Sequence, residues 1–114
     1  MEEGRETIAA IATAAGAAGV SVVRVSGPEA FAVADRLLPP GTRPVSERRA
    51  GTFFHTRLFH PETGETVDDA VVLVFRAPHS YTGEDSVELQ GHGGTVPARR
   101  LLDAVLAAGA RLAG

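Results

Sequence analysis

The sequence predicts an α/β (α+β) domain in which two to three helices pack on a mixed or antiparallel sheet of about five strands. Three observations carry that class. Residues 20–26 (VSVVRVS) are Val-rich on both faces, as a strand buried on both sides would be. Residues 52–60 and 66–76 are two apolar-rich runs around a Pro- and Gly-bearing turn, the pattern of a hairpin. Two other stretches repeat apolar residues at helical spacing and stop at Pro or Gly. A chain of 114 residues is the size of one domain that builds a core without disulfides or metals, so residues 1–114 are read as a single domain.

Taken in order, residues 7–13 (TIAAIAT) read as a first strand and 20–26 as a second. Residues 14–19 (AAGAAG) join them; two glycines and small side chains permit close backbone approach to a ligand or another chain, but a lone G-x-x-G is a weak signal and the loop is read as a plain tight connection. Ser26-Gly27-Pro28-Glu29 reads as a helix start, with Ser26 as cap candidate and Pro near the first turn. Phe31, Ala34, Leu37 and Leu38 form its apolar stripe, which ends at Pro39-Pro40. Residues 41–50 (GTRPVSERRA) read as a polar surface loop, where Arg43, Arg48 and Arg49 are a solvated edge or phosphate contacts. After the hairpin, residues 85–91 (DSVELQG) give a fifth strand. Residues 95–108 give a second helix, with Leu101, Leu102, Val105 and Leu106 inward and Gly109 as its stop.

Composition excludes several chemistries. Absence of cysteine removes disulfides, thiol nucleophiles and Cys-ligated zinc. All eleven basic residues are Arg, so there is no Lys base, Schiff-base Lys or phosphate-loop Lys. A net charge of −3 gives no field for a broad nucleic-acid or anionic-membrane footprint. Residues 8–23 are too short and interrupted to span a bilayer or act as a signal peptide, and a cytoplasmic protein without a membrane partner is the simplest reading. His55, His60, His79 and His92 match no zinc spacing.

Two charges interrupt apolar strands: Arg24 among valines and Glu88 between Val87 and Leu89. Each needs a partner, because an unpaired charge there costs several kcal/mol, on the order of a small domain's whole stability. Either they pair with each other or they meet a ligand, an acidic or carbonyl group on Arg24 and paired N–H donors on Glu88. The adjacent Asp68 and Asp69 point to opposite faces of a regular strand, which argues against a paired-carboxylate centre. His92, Gly93 and Gly94 open the second helix where free backbone N–H groups suit an anion, and a ligand role and a capping role for them both stand. The run also resembles the His-Gly-Gly of some esterase oxyanion holes, but no G-x-S-x-G is present.

The blocks TIAAIAT (7–13), GV (19–20), VRVSGP (23–28), SYTGED (80–85) and VELQGHGG (87–94) together resemble the N-terminal domain of the MnmE (TrmE) tRNA-modification GTPase family, from about residue 7 to the chain end. The resemblance implies a homodimerising domain that binds a tetrahydrofolate derivative, 5-formyl or 5,10-methylene, as one-carbon source. Its fold would be similar to the tetrahydrofolate domain of aminomethyltransferases. It further implies a longer protein that works with the flavoprotein MnmG (GidA) to place an aminomethyl-type group on C5 of the wobble uridine of certain tRNAs. The family's folate contacts fall on Arg24 and Glu88, with His92, Gly93 and Gly94 as secondary candidates, and no residue receives a catalytic role. The helical and GTPase domains have no counterpart here. Without G-x-x-x-x-G-K-[ST], GTP with its magnesium and potassium is expected only in the full-length protein, of which this chain resembles an excised or N-terminal piece. AAGAAG replaces the family's Pro-Pro-Gly-Arg-Gly-Gly loop, so that loop's Arg has no equivalent. A ligand-free dimerisation module, or an unrelated small α/β enzyme using His92 and Glu88, are the alternative readings.

Overall fold

The computed structural model describes residues 6–12, 19–80 and 83–113. Among them six strands form one sheet: β1 (Ile8–Ile11), β2 (Val20–Ser26), β3 (Phe53–Phe59), β4 (Thr66–Phe75), β5 (Ser86–His92) and β6 (Arg111–Leu112). Their spatial order is β3-β4-β5-β2-β1-β6. Neighbours pair antiparallel except β1 with β6, which is parallel, so the sheet is mixed. The expected hairpin is the β3–β4 pair, in register from Phe53 opposite Leu73 to a bulge at Leu58/Phe59. The loop at 14–19 lies outside the described residues except for Gly19.

The sheet buries one face. Val23, Val25, Val72, Val74, Val87 and Leu89 point into a core closed by Leu101, Ala104 and Val105 of α2 (Thr95–Ala107) and by Phe31 and Ala34 of α1 (Ala30–Asp35). The period of two in β2, β4 and β5 sends the alternate residues to the opposite face, which among the described residues neither α1 nor α2 covers. That face carries Arg24, Glu88 and Gln90 beside the half-buried Val22, Val71 and Leu73. Since the core lies on one side only, the expectation that β2 is covered on both sides is corrected: its second face holds the candidate functional groups.

Three further expectations change in detail. The sheet gains β6, two residues long and too short to show a period; it docks through Arg111 N–H on Thr7 O (2.9 Å) and Ala113 N–H on Ala9 O (2.9 Å). The first helix is only six residues, and Ser26 is not its cap. Thr7 Oγ1 accepts the N–H of the N-cap Glu29 (2.8 Å), while Ser26 Oγ donates to Glu84 Oε1 (3.1 Å). The 41–50 loop is fastened as well as polar. Val45 is fully buried in a 3-10 turn, its N–H donates to Asp35 Oδ1 (2.5 Å), and Arg76 donates to the carbonyls of Ser46 and Arg48 (both 2.8 Å). Arg43 and Arg48 bond within the loop, and Arg48 also stacks 3.5 Å over the ring of Phe54, so neither is simply a solvated edge. Among the described residues no helix is long and apolar enough to cross a membrane.

Candidate functional site

Arg24 and Glu88 are directly opposite each other on β2 and β5, the two central strands of the sheet. Arg24 Nε and Nη2 donate to the same carboxylate oxygen, Glu88 Oε2, at 2.9 and 2.7 Å. The Glu88 side chain is 9% exposed and that of Arg24 35%, so the carboxylate is the more buried member of the pair. Two charge-assisted bonds offset the cost of burying the carboxylate. Both fall on Oε2; Oε1 receives none from Arg24. Two residues back along β5 on the same face, Ser86 is fully buried, and its Oγ is the one buried side-chain polar atom without a hydrogen-bond partner among the described residues. A buried hydroxyl left unpaired is uncommon and calls for a reason.

Farther along β5 the same face forms a shallow hollow of about 350 Å³ lined by Gly19, His55, Asp69, Val71, Gln90 and His92, with the edges of Ala70 and Gly91. His92 stands at its rim, mostly exposed, and is held from behind by Asp68. Asp68 Oδ2 accepts the backbone N–H of His92 (2.8 Å), and Oδ1 lies 2.5 Å from the ring Nδ1. The Asp68 side chain is only 9% exposed, because it is on the helix-bearing side of β4 while Asp69 faces the hollow. The two aspartates therefore do point to opposite faces. This pairing occupies Nδ1 and leaves Nε2 as the ring nitrogen open to a ligand.

Gly91 makes the contact possible. A Cβ there would lie 2.4 Å from Asp68 Oδ2, so any side chain would evict the carboxylate. At the next glycine, a Cβ on Gly93 would meet Gly19 N at 2.8 Å, backbone against backbone. Ser21, also buried, donates from Oγ to the carbonyl of His92 (2.5 Å), with the carbonyl oxygen of Gly94 at 3.3 Å. Gly94 is the N-cap of α2 and provides no side-chain cap. The structure thus brings Arg24 and Glu88 together and keeps His92–Gly94 apart from them. Glu88 and His92 are four residues apart on one strand, about 13 Å at roughly 3.3 Å per residue, too far to act as one catalytic pair. The sequence reading missed Asp68 and Ser21 as supports of His92; the signal that could have found Asp68 is a glycine inside a strand, which marks a close approach.

A family model described as the GTP-binding protein TrmE N-terminus matches residues 7–114. The tRNA modification GTPase MnmE of Symbiobacterium thermophilum is 52% identical over 111 residues, covering 96% of this chain and 24% of that protein. MnmE of Bordetella petrii is 52% identical over 105 residues, 92% of this chain and 22% of the relative. MnmE of Marinobacter nauticus is 49% identical over 113 residues, 99% and 23% respectively. The chain spans about a quarter of the length of these relatives.

The Asp68 contact, through its hydrogen bond first and its charge second, raises the His92 pKa above the usual 6.5. The folded chain then holds this proton more tightly than the unfolded chain does. The contact stabilises the fold in full below pH 6.5 and fades as pH rises through the raised value. NMR titration of the His92 ring should place its pKa above 6.5 in the parent and bring it down toward that value in Gly91→Ala, where the carboxylate is displaced. An unchanged His92 titration in a folded Gly91→Ala would contradict the contact.

Proposed function

The chain belongs to the family of TrmE N-terminal domains, and on that premise we propose that it is the folate-binding, dimerising part of a tRNA-modifying GTPase. The whole protein would work with the flavoprotein MnmG (GidA) on C5 of the wobble uridine, and bound 5-formyl- or 5,10-methylenetetrahydrofolate would supply the one-carbon unit. The single observation that carries the folate reading is a buried carboxylate at the centre of the sheet face turned away from α1 and α2, steadied from one side by Arg24. A pterin presents a ring N–H beside an exocyclic amino group, an edge that a carboxylate accepts through two parallel bonds.

The residues present fit such an edge. Glu88 Oε1 takes no bond from Arg24 and can accept one donor directly, while a second donor on Oε2 has to replace one of the two Arg24 bonds. The orphaned Ser86 Oγ adds an unpaired polar atom next to the carboxylate. Dimerisation is supported by the exposed apolar side chains of Ile8, Ile11, Val20 and Leu112, carried by β1, β2 and β6 at one side of the sheet. One observation favours a second reading, a dimerisation module without ligand: Arg24 and Glu88 already form an ion pair with each other. The unrelated-enzyme reading falls with the family assignment and with the separation of Glu88 from His92.

Calorimetric titration of the chain with 5-formyltetrahydrofolate separates the two. Glu88→Ala should lose about 1.5–3 kcal/mol of binding, the range for a hydrogen bond to a charged group, and so about tenfold or more in affinity. A parent chain that binds no folate favours the ligand-free module, and a folded Glu88→Ala that binds as tightly as the parent contradicts Glu88 as the pterin site. Sedimentation of the chain at micromolar concentration should show a dimer; a monomer alone contradicts the association.

A further inference from the structure

If Glu88 takes the pterin edge, Arg24 lies at the pterin end as well, because its Nε and Nη2 donate to Glu88 Oε2 there, and the far end of the molecule needs another group. A folate ends in a glutamate whose carboxylates lie well away from the pterin, beyond an aminobenzoyl group. Along β5 from Glu88 the open face runs through Gln90 into the hollow, where His92 stands about 13 Å from Glu88 at roughly 3.3 Å per residue. The reach of a pterin joined through its aminobenzoyl group to the first carboxylate is of that order.

We propose that this hollow takes the glutamate tail of the folate, with His92 Nε2–H donating to a tail carboxylate and Asp68 positioning the His92 ring. The inference rests on the folate reading above and adds the polarity of the bound ligand: pterin at the centre of the sheet, tail toward the start of α2. Asp68 is suited to the task because it is buried, is held on the far side of the strand, and grips both the ring and the backbone N–H of His92. The groups facing His92 are Asp68 and Asp69 on β4 and His55 on β3; Gly19 on the approach to β2 and the first turn of α2 bring no titratable side chain. Asp69 opposes an anionic tail, but Arg57 of β3 stands beside it, with Nε 3.5 Å from Asp69 Oδ1, and answers its charge. The carboxylate behind His92 favours the imidazolium, so the tail should be held most strongly at low pH.

The test compares 5-formyltetrahydrofolate with the same compound lacking its glutamate, 5-formyltetrahydropteroate, by calorimetry at pH 6 and pH 8. The parent should prefer the glutamate-bearing ligand about tenfold or more at pH 6 and less at pH 8. His92→Gln should abolish the preference while retaining affinity for the pteroate. Asp68→Asn should lower the His92 pKa and, with it, shift the pH at which the preference for the glutamate-bearing ligand is lost downward while affinity for the pteroate is retained, a split that a merely structural aspartate would not produce. Equal affinity of the parent for both ligands, with Glu88→Ala still weakening each, overturns the tail site and leaves the pterin site standing. No folate binding by the folded parent overturns both.

Discussion

An arginine and a glutamate face each other across the two middle strands of the sheet, and the rest of the domain is compatible with that one placement. A glutamate at this depth without a cation would destabilise a 114-residue domain by a large fraction of what it has. The register of β2 against β5 is therefore constrained twice. On the helix side, Val23 must meet Leu89 and Val25 must meet Val87; on the open side, Arg24 must meet Glu88. A slip by one residue would send the charges into the core and the valines to solvent at once.

The same solution recurs at the end of β5. Asp68 lies on the helix side, where a carboxylate is costly, and is accommodated because Gly91 yields the space and His92 supplies two polar contacts. Ser21 holds the carbonyl side of the same turn. The open face thus has two polar stations, one at its centre and one at its rim, joined by the half-buried Leu73 and Val71 with the polar Gln90 beside them. A ligand with one polar end, an apolar middle and an acidic tail matches that sequence of stations in order.

Much of this was legible in the chain. Apolar-rich runs located β2, β4 and β5, and charges inside them singled out Arg24 and Glu88 because burial without a partner is too costly to be accidental. What was not legible depends on register between distant residues. Asp68 and His92 are twenty-four positions apart, and although Gly91 marks a close approach to β5, nothing local says that the approaching group is a carboxylate on β4. The anchoring of the 41–50 loop has a similar cause: Asp35, at the end of α1, accepts the N–H of the buried Val45, a tertiary contact that helical periodicity does not contain. β6 is two residues long and exists only because β1 offers it an edge.

The central claim is that the Glu88 carboxylate, shared with Arg24 in the free chain, is where the pterin binds. Side-chain NMR that follows the Arg24 Nε–H and the Glu88 carboxyl carbon during titration with 5-formyltetrahydropteroate, which has no tail, tests it most directly. The account predicts that both signals move together and saturate at the calorimetric dissociation constant, as a pterin donor replaces an Arg24 bond on Oε2. Saturable binding that leaves both signals where they were would contradict it.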